Sequence, residues 1–222
     1  MHKILPLKRI VLLTMISIAL PWQSFAAEVG QGAALLKVIN AQKLDDTISI
    51  LNEVKRTQHQ GDVLPLVQDL WNNDKKKYPD LPWNFVNLDA VRINIADILV
   101  QAYRNGLANV DRGALHAFAQ KVASGSSDMQ ARGNALLVLG IIDDARDVPV
   151  LRSAALEERD WISTSALISL GTMCNGAAGK ALDALSGALK GKQFLERAKD
   201  AQQLHLDMTK SKGGRCAQRP FA

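Results

Sequence analysis

The stretch Ala131–Gly171, ARGNALLVLGIIDDARDVPVLRSAALEERDWISTSALISLG, contains one short pattern twice. The pattern is a small residue followed by leucine and glycine, and its second copy comes 31 residues after the first: Ala135, Leu139 and Gly140 recur as Ala166, Leu170 and Gly171. One helix-sized segment, Val148–Leu156, separates the copies. A fixed offset of this length is typical of stacked helical pairs, because each pair can bury its apolar side only against the next. The stretch therefore predicts such a stack.

Helical periodicity continues on both sides of this stretch, whereas alternating runs of β-branched residues are few. The sequence predicts an all-α fold of about four or five helical pairs. Pro79 and Pro82 interrupt the periodicity, because closely spaced prolines prevent a helix from continuing. The predicted domain covers residues 27–210 and consists of irregular N-terminal helices at 31–72, a loop at 72–87, repeats at 88–190 and a terminal helix at 193–208.

Two segments, Val91–Leu99 (VRINIADIL) and Ala131–Gly140 (ARGNALLVLG), resemble the first helices of HEAT-like repeats, of the short type found in bilin lyases. They share an arginine in the first turn and small residues in the middle. The segment 143–151, DDARDVPVL, is similar to the acidic turn that leads into the second helix of such repeats. Over residues 88–190 the resemblance implies a right-handed α-α superhelix, whose second helices line a concave face.

The chain also departs from the family pattern. Ser163 stands where a third copy has arginine, and the interval from Arg92 to Arg132 is 40 residues instead of 31. These departures predict an irregular stack. Gly140 and Gly171 close their first helices in the sequence pattern, where glycine permits a C-terminal cap.

Residues 1–26 have the organisation of a cleaved secretory signal. A positive start precedes the apolar run Ile10–Leu20, and small residues precede a cleavage after Ala26. The apolar run of eleven residues is short for a membrane span, which needs about 20. We therefore expect an exported protein that resides in the bacterial periplasm.

The charge balance argues against a nucleic-acid-binding protein. Loss of the three basic residues of the signal lowers the formal net charge from +5 to +2. Nucleic-acid-binding domains normally keep a strong basic excess on one face. The basic residues between Lys210 and Arg219 would attach to anionic lipid only weakly, at about 1 kcal/mol for each charge. We expect a protein partner, with at most a weak membrane contact.

The mature chain has two cysteines, and an exported protein meets an oxidising compartment. An even count favours one disulfide, Cys174–Cys216, which ties the basic tail at 211–222 to the second repeat. Neither cysteine belongs to a CxxC motif or lies beside histidines with metal-ligand spacing. The sequence therefore favours a structural bridge over redox chemistry or metal binding.

No segment carries a recognisable catalytic motif. The histidines of the mature chain, His59, His116 and His205, have no ligand spacing such as HExxH, and the serines at 124–127 do not match the GxSxG nucleophile motif. The sequence therefore predicts no metal, no cofactor and no enzymatic activity. An envelope hydrolase with a histidine or acidic site in the groove is the weaker alternative.

An export signal, a helical stack and the missing catalytic motif together predict a protein that binds another protein through its concave face. The partner is either an envelope-directed toxin, which makes this an immunity protein, or an envelope component, which makes it an assembly adaptor. The expected contacts are four polar residues of the second helices and two aromatic anchors: His116, Gln120, Arg152 and Lys180, with Trp83 and Trp161. The partner's identity and the oligomeric state stay open.

Overall fold

The computed structural model describes residues 30–57, 63–189, 195–211 and 215–221. The predicted secretory signal at 1–26 lies outside these ranges. Every regular element within them is helical, so the all-α prediction is confirmed. None of these helices combines the length and the apolar composition that crossing a bilayer requires.

The helices of the described ranges are numbered in chain order: α1 Gln31–Asn40, α2 Leu44–Thr57, α3 Leu64–Trp71, α4 Trp83–Val86, α5 Asp89–Arg104, α6 Arg112–Gly125, α7 Met129–Ile142, α8 Val148–Ala155, α9 Asp160–Thr172, α10 Gly176–Ala188 and α11 Leu195–Lys210. A short 3-10 turn at Ala145–Asp147 precedes α8, and another at Arg215–Ala217 follows α11. The short helix α4 lies inside the segment 72–87 that was predicted to be a loop.

Five helices pack side by side in one row, in the order α2, α5, α7, α9 and α11. The helices α6, α8 and α10 follow α5, α7 and α9 in the chain, and each packs against the next helix of the row. The described chain therefore contains the successive helix pairs α5–α6, α7–α8 and α9–α10, and we call α6, α8 and α10 the second helices. At the N-terminal end, α1 packs against α2, and α3 against α5.

Short polar side chains determine where several helices begin. Asp111, Asp128 and Asn175 accept hydrogen bonds from main-chain N–H groups in the first turns of α6, α7 and α10. Such a cap contributes about 1 kcal/mol, because the first N–H groups of a helix have no partner within it. In contrast, α8 begins with Pro149 in its first turn, where no main-chain donor is needed.

Gly140 and Gly171 do not cap their helices, contrary to the sequence-based expectation. Both helices continue beyond the glycine, and the left-handed residue after α7 is Asp143, with φ of 63°. The glycines lie at helix crossings. A Cβ atom at Gly140 would come within 2.7 Å of the Cα of Ser169, and one at Gly171 within 2.8 Å of the carbonyl oxygen of Ala201. The repeated glycine therefore permits the close approach of α7 to α9 and of α9 to α11.

The substitution Gly140→Ala is expected to lower the free energy of unfolding by about 1–3 kcal/mol, because the added methyl group has to displace the backbone of α9. Gly125→Ala is the matched control, since a Cβ there meets nothing within 4 Å and alanine favours the helix by up to about 1 kcal/mol. Urea denaturation followed by circular dichroism measures both. Equal stabilities of the two variants would contradict the close crossing.

The C-terminal segment folds back along the turns that precede the second helices. Cys216 is bonded to Cys174, in the turn between α9 and α10, so the predicted disulfide is confirmed. Beyond the bridge, Phe221 is 2% exposed and packs edge-to-face on Tyr103 of α5, with ring centroids 5.3 Å apart. Arg112 of α6 donates a hydrogen bond of 2.9 Å to the carbonyl oxygen of Phe221. The segment therefore joins the α9–α10 turn to the α5–α6 turn.

Two more contacts hold this segment, residues 215–221, which we call the C-terminal clasp. The side chain of Gln218 donates a hydrogen bond of 2.8 Å to the side-chain oxygen of Asn105. The guanidinium group of Arg219 lies 4.0 Å from the centre of the Tyr103 ring, a favourable cation–π distance. A disulfide that anchors such a clasp is typical of proteins that fold in an oxidising compartment.

Replacing both cysteines, Cys174→Ser with Cys216→Ser, is expected to lower the free energy of unfolding by about 3–4 kcal/mol, because the bridge closes a loop of 42 residues. Urea denaturation in non-reducing buffer measures the loss. Wild-type protein with reductant should unfold at the same urea concentration as the variant. A variant as stable as the oxidised wild type would contradict the stabilising role of the bridge.

Candidate binding surface

Each second helix buries one side and exposes the other. The buried sides are aliphatic: Leu115, Ala119 and Val122 in α6, Leu151 and Ala154 in α8, and Ala178, Leu182 and Leu185 in α10. The exposed sides carry mainly small neutral residues, one cation for each helix and one carboxylate: Ala114, Ala117 and Lys121 in α6, Pro149, Arg152 and Ser153 in α8, and Lys180, Asp183, Ala184 and Gly187 in α10. We call these exposed residues the second-helix surface.

Three of the predicted contact residues occupy the same position in their helices. His116, Arg152 and Lys180 are the fifth residues of α6, α8 and α10. Arg152 and Lys180 are exposed and belong to the second-helix surface. His116 is mostly buried, because its ring is turned toward Asp147 in the turn before α8.

Asp147 is the centre of a buried polar cluster between α6 and α8. Its fully buried carboxylate lies 2.8 Å from Nε2 of His116 and accepts a hydrogen bond of 2.7 Å from the Gln120 side chain. His116 and Gln120 are one turn apart on α6, so both reach the same carboxylate. His116 and Asp147 are 31 residues apart, which equals the offset of the sequence repeat. Asp147 therefore links the pair α5–α6 to the pair α7–α8.

A second carboxylate, that of Asp144, lies beside this cluster. Its Oδ2 atom is 3.8 Å from Nδ1 of His116 and is bound by the guanidinium group of Arg146. The side-chain hydrogen bonds from Arg146 hold the pKa of Asp144 below its ordinary value, although burial acts in the opposite direction. The same contact raises the pKa of Arg146. The pair therefore stays ionised near neutral pH and adds no net charge to the surface.

An open cleft of about 440 Å³ adjoins the cluster. Its lining consists of Val110, Asp111, Arg112, Gly113, His116, Arg146 and Phe221. These residues include no hydroxyl, thiol or amine group that would act as a nucleophile, and Nε2 of His116 already contacts Asp147. Across the described ranges, no three or more histidine, cysteine or acidic side chains are grouped so that they would hold a metal ion. The contacts of His116 are accounted for by helix packing.

The two predicted aromatic anchors pack within the chain. Trp83 is 9% exposed, and its indole N–H donates a hydrogen bond of 3.0 Å to the carbonyl oxygen of Tyr78. Trp161 is half-buried against Gly133 of α7, where a Cβ atom would come within 1.9 Å of the indole nitrogen. Burying such large rings stabilises the fold, and neither ring belongs to the second-helix surface.

The predicted contact residues do not include Asp147 or Lys121, which the structure adds to the cluster and to the surface. The sequence does contain a hint of the role of Asp147, because its partner His116 lies 31 residues earlier, which is the offset of the repeat. The same offset of 31 residues separates Asp143 from Cys174, whose main-chain N–H donates a hydrogen bond of 2.9 Å to Oδ1 of Asp143. Polar residues that are one offset apart are therefore candidates for contacts between neighbouring pairs.

The substitution Asp147→Ala is expected to lower the free energy of unfolding by about 1–3 kcal/mol for each buried group left without its partner. In a double-mutant cycle, Gln120→Ala should cost less in the Asp147→Ala background than in the wild type, because the shared hydrogen bond is already absent. Urea denaturation measures both effects. Asp200→Ala, at an exposed site on α11, is the control and should be neutral. Additive effects of the Gln120 and Asp147 substitutions would contradict the cluster.

In comparisons with known proteins, no family model, no curated protein and no solved structure matches this chain. The likeness to HEAT-like repeats therefore stays a resemblance carried by the residues of the repeat itself. The comparisons also give no indication of function, so the function is inferred from the surface and the cluster described above.

Proposed function

We propose that the chain is an exported, periplasmic helical-repeat protein that binds another protein through its second-helix surface. In this proposal the helix pairs form a right-handed superhelix of the HEAT-like type, and the second helices line its concave face. The row of helices from α2 to α11 and the alternation of row and second helices support that arrangement.

Two features support export. The first is the positive, apolar and small-residue order of residues 1–26, which is the order of a secretory signal. The second is the disulfide Cys174–Cys216, because such bonds persist in oxidising compartments and are rare in the cytosol. Removal of the signal leaves both cysteines in the mature protein.

The observation that carries the binding function is the exposed side of α6, α8 and α10. Each of these helices is anchored on its buried side, while its outer side presents short side chains that leave the helix surface accessible. The clasp and the Asp147 cluster connect the helix pairs at their turns. A surface that is already ordered loses less entropy on binding, which favours affinity.

The same features support a binding protein over an enzyme. The lining residues of the cleft beside His116 include no hydroxyl, thiol or amine. The two lining groups that act as nucleophiles in some enzymes are already engaged, because Asp111 caps α6 and His116 contacts Asp147. Two kinds of binding protein would use the surface in the same way. One is an immunity protein that neutralises an envelope-directed toxin, and the other is an adaptor for envelope assembly. Protection of cells against the captured partner is the property that separates the two.

Bulky substitutions on the second-helix surface test the proposal. Photo-crosslinking from position 153 in envelope extract is expected to capture one protein, which is then identified and purified. Ala117→Trp and Ser153→Trp should each weaken its binding at least tenfold by steric exclusion, whereas Gln130→Trp, at an exposed site on α7, should not. Isothermal titration calorimetry measures the affinities. No captured protein, or equal binding by the three variants, would contradict the proposed surface.

A further inference from the structure

The second-helix surface carries three exposed cations, one on each second helix. Lys121, Arg152 and Lys180 are exposed, and within the described ranges no ion pair involves any of them. Lysine and arginine residues from α5 to α11 form ion pairs among other side chains: Arg132 with Glu157, Arg146 with Asp144, Arg197 with Asp160 and Lys199 with Glu196. Within the described ranges, the three cations of the surface therefore face solvent.

Helix stability does not account for all three positions. Arg152 lies in the last turn of α8, where a cation interacts favourably with the helix dipole. Lys180 is the fifth residue of the 13-residue helix α10, nearer to its N-terminal end, where the dipole gives a cation no such stabilisation. The helix dipole therefore accounts for the position of Arg152 and not for that of Lys180.

Nearby carboxylates leave the surface with a positive net charge. Asp147 is fully buried and bound by His116 and Gln120, so its charge is directed into the polar cluster. Asp183 of α10 is exposed on the same side of the helix as Lys180, and Gln202 of α11 donates a hydrogen bond to its carboxylate. The other residues of the surface are alanine, proline, serine and glycine, whose side chains carry no charge.

The cations follow the repeat offset in part. Lys121 and Arg152 are 31 residues apart, so they occupy equivalent positions in α6 and α8. The next position at this offset is Asp183, and Lys180 lies three residues before it, on the same side of α10. Three cations and one carboxylate give the surface a net charge of +2.

We propose that the partner of the second-helix surface is an acidic protein, whose carboxylates pair with Lys121, Arg152 and Lys180. This inference rests on the proposed binding function and adds the chemistry of the partner. Short side chains between the cations allow the partner's backbone to come close, and opposite charges raise the association rate.

A protein suits this surface better than a lipid bilayer does. Peripheral membrane helices insert large apolar residues beside their cations. Among the described residues, the large apolar side chains with high exposure are Leu88, Leu107, Met129, Leu156, Ile168 and Leu206, and none of them lies in α6, α8 or α10. Three cations alone would contribute only about 1 kcal/mol each to membrane attachment.

Charge reversal tests this inference. The variant Lys121→Glu, Arg152→Glu and Lys180→Glu changes the surface, and Lys37→Glu, Lys75→Glu and Lys76→Glu is the matched control at exposed sites elsewhere. Both change the net charge by the same amount. With the purified captured protein as probe, the first variant should bind at least 100-fold more weakly than wild type and the control within twofold. Wild-type affinity should also fall with increasing salt concentration.

Three outcomes would overturn the inference. Unchanged binding by the charge-reversed variant, while Ser153→Trp still abolishes binding, would leave the proposed function standing and exclude an acidic partner. Equal weakening by the surface variant and the control would assign the effect to net charge. Binding of wild-type protein to vesicles of phosphatidylglycerol, lost in the surface variant, would assign the surface to membranes. Failure of both the tryptophan and the charge variants to affect binding would instead overturn the proposed function itself.

Discussion

The crossing of α7 and α9 leaves no room for a side chain at Gly140, and the arrangement of the later helices depends on it. Ser169 faces that glycine, and its hydroxyl donates a hydrogen bond of 2.7 Å to the carbonyl oxygen of Leu136 across the crossing. Gly171 permits the next crossing, of α9 with α11, in the same way. These two close approaches fix the spacing of α7, α9 and α11 in the row.

The sequence predicts the helical class because the repeat and the apolar periodicity are local signals. It does not distinguish the two uses of glycine, at a C-cap and at a crossing, because that difference depends on which helix lies opposite. Gly140 and Asp143 illustrate the point: the residue that ends the helix in the left-handed conformation is an aspartate three positions after the glycine. The disulfide, in contrast, can be predicted from the sequence, because two cysteines allow only one intramolecular bridge.

The sequence does not predict the surroundings of the candidate contact residues, because the environment of a side chain depends on the turn of the neighbouring pair. His116 and Arg152 are both fifth residues of second helices, yet only His116 meets a carboxylate. Asp147 makes no cap for α8 and is available to α6, whereas Asn175 caps α10 and contacts Asp143. Arg152 is therefore left facing solvent. The residues that precede α8 and α10 thus have different partners, and the sequence alone does not show which partner each one has.

The C-terminal clasp connects parts of the chain that are far apart in sequence, and this separation affects the expected order of folding. The hydrogen bond between Arg112 and Phe221 joins residues 109 positions apart, whereas neighbouring helix pairs associate over about 31 positions. Contacts of high sequence separation cost more chain entropy, so they form after local ones. We therefore expect the helix pairs to associate before the C-terminal clasp docks. In that order, the ring of Tyr103 stays accessible to solvent until Phe221 packs on it.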